Sequence, residues 1–275
     1  MKKSIIIAIA ALVTCSAFAF DSGSFTPAGN VTTYTKTDYS VTSKFGDYYR
    51  SPAAKYVHVF DNTGLETSTT AYTAKDVVID KIIYQYDTSR NLVSSSFFDA
   101  NNELVWKTMT TYNATGKIAE ESEFNKSNAL TGKTIYTYEA NVVTESYYNG
   151  EGGLLAKTIS KSDDKNRVAE EAEYYEDGSL DAKTVYTYDD NGYLSQKESF
   201  NSNGETTVKI IYKYDANGAT TEEQSYNSTG DLSERKIFKS DANKNPTKIT
   251  TYSVAKKFGG IMNELESITE YSYKY

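Results

Sequence analysis

The sequence predicts an all-β protein, an antiparallel meander of about eight 26-residue hairpin repeats that forms an extended or curled, largely single-layer sheet. Three observations lead to this prediction. A tyrosine-rich segment recurs at a fixed interval, each half-repeat is rich in residues that favour strands, and turns of Asp, Asn and Gly separate the halves. With 25 tyrosines and only 3 prolines, the chain does not have the composition of a Pro-rich linker.

The repeat is clearest where residues 185–192 (VYTYDDNG) recur as residues 211–218 (IYKYDANG), 26 positions later. The position that Tyr188 occupies in the repeat, which we call its slot, recurs in both directions along the chain every 26 residues, with one interval of 24. The residues in this slot are Phe60, Tyr86, Tyr112, Tyr138, Ser162, Tyr188, Tyr214 and Ser240. A second aromatic slot holds Tyr72, Phe98, Phe124, Tyr148, Tyr174, Phe200, Tyr226 and Tyr252. Eight hairpin units therefore cover residues 56–252.

Side chains alternate between the two faces of a strand, so Tyr136 and Tyr138 share a face and Ile135 lies on the other. Other half-repeats, such as residues 117–123 (KIAEESE), place charge on both faces. This argues against a thick sandwich core. We expect cross-strand tyrosine, threonine and Glu/Lys pairs to stabilise the sheet.

The ends of the chain differ from the repeats. Residues 1–19 predict a secretory signal peptide, with Lys2 and Lys3 before an apolar run and cleavage after Ala19. Lipidation at Cys15 is the alternative. Residues 20–55 are predicted as an N-terminal β cap or linker, and residues 253–275 as a loop followed by a capping strand. The mature chain is thus expected in the periplasm, at the cell surface or outside the cell, with no membrane span after signal removal.

Charge and cysteine content exclude several classes of function. Without Lys2 and Lys3, 27 basic residues stand against 37 acidic ones, a net charge of −10. Binding to nucleic acid is not expected from such a chain, because neutralising phosphates requires clustered Lys and Arg. The only cysteine is Cys15, so the mature chain has no disulfide and no thiolate chemistry.

Residues 186–192 and 212–218 resemble the tyrosine-aspartate repeat, also called the YD or RHS-type repeat. Residues 174–180 (YYEDGSL) are similar to the MORN-type repeat. A signal peptide followed by such repeats is similar to exported Bacteroides-type proteins of unknown function. The resemblance implies a β-hairpin scaffold and carries over no functional residue. Large RHS proteins form a shell around a toxin domain, and eight units without a further domain are too few to enclose such a cargo.

No pattern indicates a catalytic site. His58 is the only histidine, and it takes the repeat position of Tyr84, which favours a structural ring. Acidic pairs recur with the repeat, whereas a catalytic carboxylate pair should be unique. The Asp-x-Asn-Gly turns lack the ligand pattern of a calcium loop. We therefore predict no catalytic residue, no metal site, no cofactor and no enzymatic activity.

The tyrosine ladder is the candidate ligand-binding surface, because rows of rings can stack against sugars or apolar peptide. Its residues are Tyr84, Tyr86, Trp106, Tyr136, Tyr138, Tyr186, Tyr188, Tyr212 and Tyr214. The alternative is that these rings only pack the sheet itself. The predicted function is an exported non-enzymatic scaffold that binds a glycan or a surface protein, in an oligomeric state that the sequence leaves open. An outer-membrane β-barrel, suggested by Tyr271, Tyr273 and Tyr275, is the alternative, and a polysaccharide-acting enzyme is a third hypothesis.

Overall fold

The computed structural model describes residues 25–257 and 259–275, so the predicted signal peptide, with both Cys15 and Ala19, lies outside the described residues. The described part contains eighteen β-strands. Their bounds are β1 (Thr33–Lys44), β2 (Asp47–Phe60), β3 (Glu66–Thr73), β4 (Val78–Tyr86), β5 (Leu92–Asp99), β6 (Leu104–Tyr112), β7 (Ile118–Asn125), β8 (Leu130–Glu139), β9 (Val142–Asn149), β10 (Leu154–Ser162), β11 (Val168–Tyr175), β12 (Leu180–Tyr188), β13 (Leu194–Asn201), β14 (Thr206–Tyr214), β15 (Thr220–Asn227), β16 (Leu232–Ser240), β17 (Pro246–Lys257) and β18 (Gly260–Lys274).

The sheet closes on itself. Each strand pairs antiparallel with its neighbours in sequence, and β1 pairs with both β2 and β18, so that Thr33 lies opposite Val59 and Lys274. The prediction of an extended or curled single-layer sheet was therefore wrong, although the all-β class was right: the fold is a closed 18-stranded antiparallel barrel. Closure gives the backbone groups of the first and last strands hydrogen-bond partners and removes the sheet edges.

The chain ends complete the barrel. Residues 33–60, most of which were expected to be a cap or linker, form the long hairpin of β1 and β2. Residues 253–257 and 260–264, expected in a loop, extend β17 and β18 instead. The final residues of β18 then pair with β1 over the range from Thr33 opposite Lys274 to Ser40 opposite Ser267.

The two faces of the sheet are the inner and outer walls of the barrel. Two residues that lie opposite each other on paired strands point to the same wall. The inner wall is identified by a cluster of buried side chains, which includes Tyr34, Phe60, Phe238, Ile249 and Tyr271. Residues 25–32 cover this sector, with Val31 in the cluster and Phe25 packed against it. Porin barrels of about 16–18 strands enclose an aqueous channel, and we expect a water-accessible lumen in this barrel as well. The cluster of packed, buried aromatic and aliphatic side chains lies in one sector of the wall.

A bulge recurs near the start of most odd-numbered strands, and a tyrosine from the next hairpin is bonded to it. In β11 the register shifts between Glu170 and Val168, and the Tyr188 hydroxyl donates a 2.8 Å hydrogen bond to the Val168 carbonyl. We call such residues bulge-capping tyrosines. Those that bond the carbonyl 20 positions earlier are Tyr86, Tyr112, Tyr138, Tyr188 and Tyr214. This bond gives the second tyrosine of the Tyr-x-Tyr motif a structural role.

The single 24-residue interval of the repeat is also explained by the presence or absence of a bulge. The hairpin between β8 and β9 has a shorter turn and no bulge, with Glu139 directly opposite Val142. The slot 20 positions after Val142 holds Ser162, whose amide donates instead to the Asn141 carbonyl at 2.8 Å. Where there is no bulge to cap, the repeat has no tyrosine.

Candidate functional site

All nine residues of the predicted ladder lie on the inner wall. They stand on even-numbered strands from β4 to β14, in register with one another through the pairing of the intervening strands. Trp106 stacks on Phe97 of β5 with ring centroids 5.3 Å apart and planes inclined by 2°. Because the ladder faces the lumen, a folded surface protein cannot lie across it; only a ligand that enters the barrel can reach it.

Carboxylates share this wall and bond to its tyrosines. Tyr136 donates to Glu121 at 2.6 Å, and Tyr147 donates to Glu145 at 2.7 Å. Tyr186 makes the equivalent hydrogen bond to Glu171 of the neighbouring strand. Phenol–carboxylate pairs therefore lie on the inner wall at β7–β8, β9 and β11–β12, a chemistry suited to hydroxyl-rich or cationic ligands.

Charge is distributed unequally between the two walls. The difference is seen in strands β3–β16, at the regularly paired residues between the first and last of each strand. Eight acidic and two basic residues point inward: Asp80, Glu121, Glu123, Glu145, Glu171, Glu173, Glu223 and Glu234, with Lys197 and Lys236. Ten basic and four acidic residues point outward: Lys81, Lys107, Lys133, Lys157, Lys161, Lys183, Lys209, Lys213, Arg235 and Lys239, with Glu120, Glu170, Glu198 and Glu222. The lumen is acidic and the outer wall is basic.

The two walls also shift carboxylate pKa values in opposite directions. Burial raises the pKa of Glu121 and of Glu145 on the inner wall, although each accepts a tyrosine hydrogen bond that lowers it. On the outer wall, the Ser122 hydroxyl is the main cause that lowers the pKa of Glu120, and Lys161 is the main cause for Glu170. The inner carboxylates are thus the less solvated group.

The outer wall carries a row of basic residues, each directly opposite an aromatic ring. The pairs are Lys55/Tyr72, Lys81/Phe98, Lys107/Phe124, Lys133/Tyr148, Lys157/Tyr174, Lys183/Phe200, Lys209/Tyr226 and Arg235/Tyr252. The Lys107 ammonium lies 5.6 Å from the ring centroid of Phe124, and that of Lys183 lies 5.7 Å from Phe200. The aromatic rings of the second slot therefore lie on the outer wall, where the aliphatic parts of the opposite basic side chains cover them.

His58 lies on the inner wall at the edge of the buried cluster. Its ring stacks on Tyr34 with centroids 4.1 Å apart, and its Nδ1 is 2.7 Å from Glu66 Oε1. Within residues 25–257 and 259–275, no group of three or more His, Cys, Asp or Glu side chains could hold a metal ion. In the same part of the chain, no helix is long and apolar enough to span a membrane.

Sequence reasoning grouped the tyrosines but missed their partners. The adjacent acids Glu120 and Glu121 point to opposite walls, and so do Glu170 and Glu171. The signal that could have shown this is their alternation relative to the tyrosines. The period of two places every second glutamate on the tyrosine face.

The pairing of the strands and the two walls together define a closed antiparallel β-barrel with a polar inner wall. Several solved structures are similar to this chain. A porin-like protein from Bacteroides uniformis matches 90% of this chain and 99% of its own, with a TM-score of 0.50 and 10% sequence identity. A protein of unknown function from Bacteroides fragilis matches 54% of this chain and 89% of its own, with a TM-score of 0.20 and 12% identity. A TcdB2–TccC3 structure matches 79% of this chain but 16% of its own, with a TM-score of 0.21 and 14% identity.

At 10% identity, the likeness to the porin-like protein concerns the fold. It confirms the expected similarity to Bacteroides proteins at that level. No protein-family model matches the sequence, so the YD/RHS-type and MORN-type resemblances stay expectations. No curated protein sequence matches either. In architecture, the closed barrel agrees better with the alternative of an outer-membrane barrel than with an open binding sheet.

Proposed function

We propose that the chain is an exported, non-enzymatic barrel of the cell envelope that holds a short glycan in its lumen while its outer wall faces water. The observation that carries the proposal is the radial separation of charge, with tyrosines and carboxylates inside and lysines outside. The tyrosine ladder keeps its predicted role as a ligand-binding surface. Its ligand must be slender enough to enter the barrel.

The chemistry of the inner wall favours one class of glycan. Aromatic rings such as Trp106 and Tyr84 offer faces for sugar rings, and the glutamates accept hydrogen bonds from hydroxyl or amino groups. The excess of carboxylates repels acidic sugars and attracts free amines. Glycans that carry free amino groups are therefore the preferred ligands, ahead of neutral ones and far ahead of uronate-containing ones.

Titration calorimetry with glucosamine oligomers and galacturonate oligomers tests this proposal. We expect saturable binding of the glucosamine oligomers alone. The double variant Glu121→Gln/Glu145→Gln should bind them more weakly, by about fivefold for each charge removed. The matched control is Glu120→Gln/Glu170→Gln, which removes the same number of charges from the outer wall and should bind normally. Equal binding of both oligomers, or no binding of either, would refute the proposal.

An outer-membrane barrel is the second candidate, favoured by the closed 18-strand architecture and the likeness to the porin-like protein. The outer wall argues against it. A lipid-facing wall is apolar, and each lysine near the bilayer midplane costs about 2–4 kcal/mol. Here Lys107, Lys133 and Lys183 stand near the middle of their strands and point outward.

Behaviour in detergent separates the two candidates. A water-facing barrel should purify without detergent and should not associate with liposomes. Heat-modifiable migration in detergent gels, with aggregation once detergent is removed, would favour the membrane barrel and contradict the proposal of a water-facing barrel. Incubation with the oligomers should also leave them uncleaved, since the proposal includes no catalysis.

A further inference from the structure

One repeat has a bulge but lacks the tyrosine that caps it. In β15 the register shifts between Glu222 and Thr220, as it does in the strands whose bulges are capped. The position 20 residues after Thr220 holds Ser240 and not tyrosine. Ser162, the other serine in this slot, follows a hairpin without a bulge. Ser240 is thus the serine that leaves a capping position unfilled.

A second substitution enlarges the same space. In three of the five capped repeats, the residue 21 positions before the tyrosine covers its ring. Tyr193 stacks on Tyr214 at 4.9 Å, the Arg167 guanidinium lies 4.1 Å from the ring centroid of Tyr188, and the Lys117 ammonium lies 4.7 Å from that of Tyr138. The residue that would cover a ring at position 240 is Ala219. Small side chains therefore stand at both contacting positions.

The structure has a cleft at this place. Its volume is about 580 Å³, within the usual range for small-molecule sites. Ala219, Thr220, Phe238 and Ser240 line it, and Asp215 and Asp241 belong to the turns at its mouth. Ala219 and Phe238 are buried, so the wall behind the cleft is apolar and well packed.

We propose that this cleft, which we call the Ser240 cleft, binds a phenol ring. The repeat itself supplies the template, because the fold places a tyrosine ring in the equivalent space five times, with its hydroxyl on the carbonyl before the bulge. The bound phenol donates its hydroxyl hydrogen to the Thr220 carbonyl, and its ring lies between Phe238 and the space above Ala219. The phenol belongs either to a small aromatic molecule or to a tyrosine side chain of a partner peptide.

None of the tyrosine-ladder residues lines the Ser240 cleft, so phenol binding is tested with probes other than the glycans. Titration of the mature protein with p-cresol, followed by NMR, should show saturable shifts for residues that line the cleft. Toluene, which lacks the hydroxyl, should bind much more weakly because it leaves the Thr220 carbonyl without its donor. Equal binding of toluene and p-cresol would overturn the proposed geometry, and absence of p-cresol binding would overturn the site.

Filling the cleft provides the matched variants. Ser240→Tyr restores the repeat and should abolish p-cresol binding while raising Tm by about 2–4 °C, as a net gain of about one hydrogen bond does in a chain of this length. Ser202→Tyr, in an exposed turn at the opposite end of the barrel, is the control and should leave p-cresol binding unchanged. If Ser240→Tyr does not fold, Ala219→Tyr serves in its place: it supplies the ring that Tyr193 stacks on Tyr214 in the preceding repeat, and it should tighten p-cresol binding. Unchanged p-cresol binding in whichever of the two variants folds would overturn the proposal.

A parallel titration with N-acetyltyrosinamide identifies the source of the ring. Clearly tighter binding than p-cresol indicates that main-chain groups of a partner peptide also contribute. Binding no tighter than p-cresol indicates a small phenolic ligand. The Ser240→Tyr variant must abolish the binding of either probe for the site assignment to stand.

Discussion

The hydroxyl of Tyr136 donates a 2.6 Å hydrogen bond to Glu121 Oε2 on the adjacent strand of the inner wall. Burial raises the pKa of both groups, and the carboxylate further raises that of the phenol. Tyr186 and Glu171 repeat the arrangement two hairpins further along the chain. The stability of the barrel therefore depends in part on hydrogen bonds between polar side chains of the lumen.

Removing the phenolic hydroxyl should reveal the strength of this pair. Tyr136→Phe is expected to lower the free energy of unfolding by about 1.5–3 kcal/mol, the usual contribution of a hydrogen bond to a charged group. In the Glu121→Gln background the same substitution should cost less, because the acceptor is then neutral. Urea denaturation of the four proteins of this double-mutant cycle provides the measurement. Tyr48→Phe, in the exposed β1–β2 hairpin, is the control and should have little effect.

The opposite pKa shifts on the two walls predict opposite pH dependences. The raised pKa of Glu121 makes the folded state bind more protons than the unfolded state, so this group destabilises the barrel increasingly as pH rises above its ordinary pKa of 4.5. Glu121→Gln should therefore gain stability relative to wild type as pH rises. The lowered pKa of Glu120 stabilises the fold above 4.5 and loses that effect as pH falls. Glu120→Gln should accordingly lose stability relative to wild type as pH rises.

Urea titrations from about pH 4 to about pH 8 compare the two variants with wild type. The expected result is two difference curves with slopes of opposite sign. Parallel curves would contradict the assignment of Glu121 to the inner wall and Glu120 to the outer one, which depends on the closed barrel.

The bulge-capping tyrosines should contribute through their hydroxyl groups. Tyr188→Phe keeps the ring and its contact with Arg167 but removes the hydrogen bond to the Val168 carbonyl. We expect a loss of about 1 kcal/mol in the free energy of unfolding. Hydrogen exchange should quicken in β11 near the bulge. Exchange that is unchanged there would mean that the bulge does not need its cap.

Turn glycines at equivalent repeat positions should differ in their tolerance of alanine. Gly204 and Gly218 both have positive φ, 80° and 83°, so alanine strains either turn by about 1–2 kcal/mol. At Gly204 nothing lies within 4 Å of an added Cβ, whereas at Gly218 the Cβ would lie 2.1 Å from the hydroxyl oxygen of Tyr193. Gly218→Ala should therefore lower Tm more than Gly204→Ala. In a Tyr193→Ala background, the two glycine substitutions should cost about the same.

Much of the local structure was predictable because it depends on neighbours in sequence. The 26-residue spacing predicted the hairpins, and the Tyr-x-Tyr alternation predicted that Tyr136 and Tyr138 share a face. The departures at Ser162 and Ser240 were visible in the sequence, but their meanings differ. One serine follows a hairpin without a bulge and the other borders a cleft, and the register of the strands distinguishes them.

The sequence by itself determined the strands, the turns and the grouping of the tyrosines on one face, since each depends on short-range periodicity and turn chemistry. Only the tertiary structure decided that the sheet closes, because closure pairs Thr33 with Lys274 across nearly the whole chain. Closure then decided which face is the lumen. It turned a chain of acidic net charge into a barrel with an acidic interior and a basic exterior, since adjacent residues such as Glu120 and Glu121 lie on opposite sides of one curved wall.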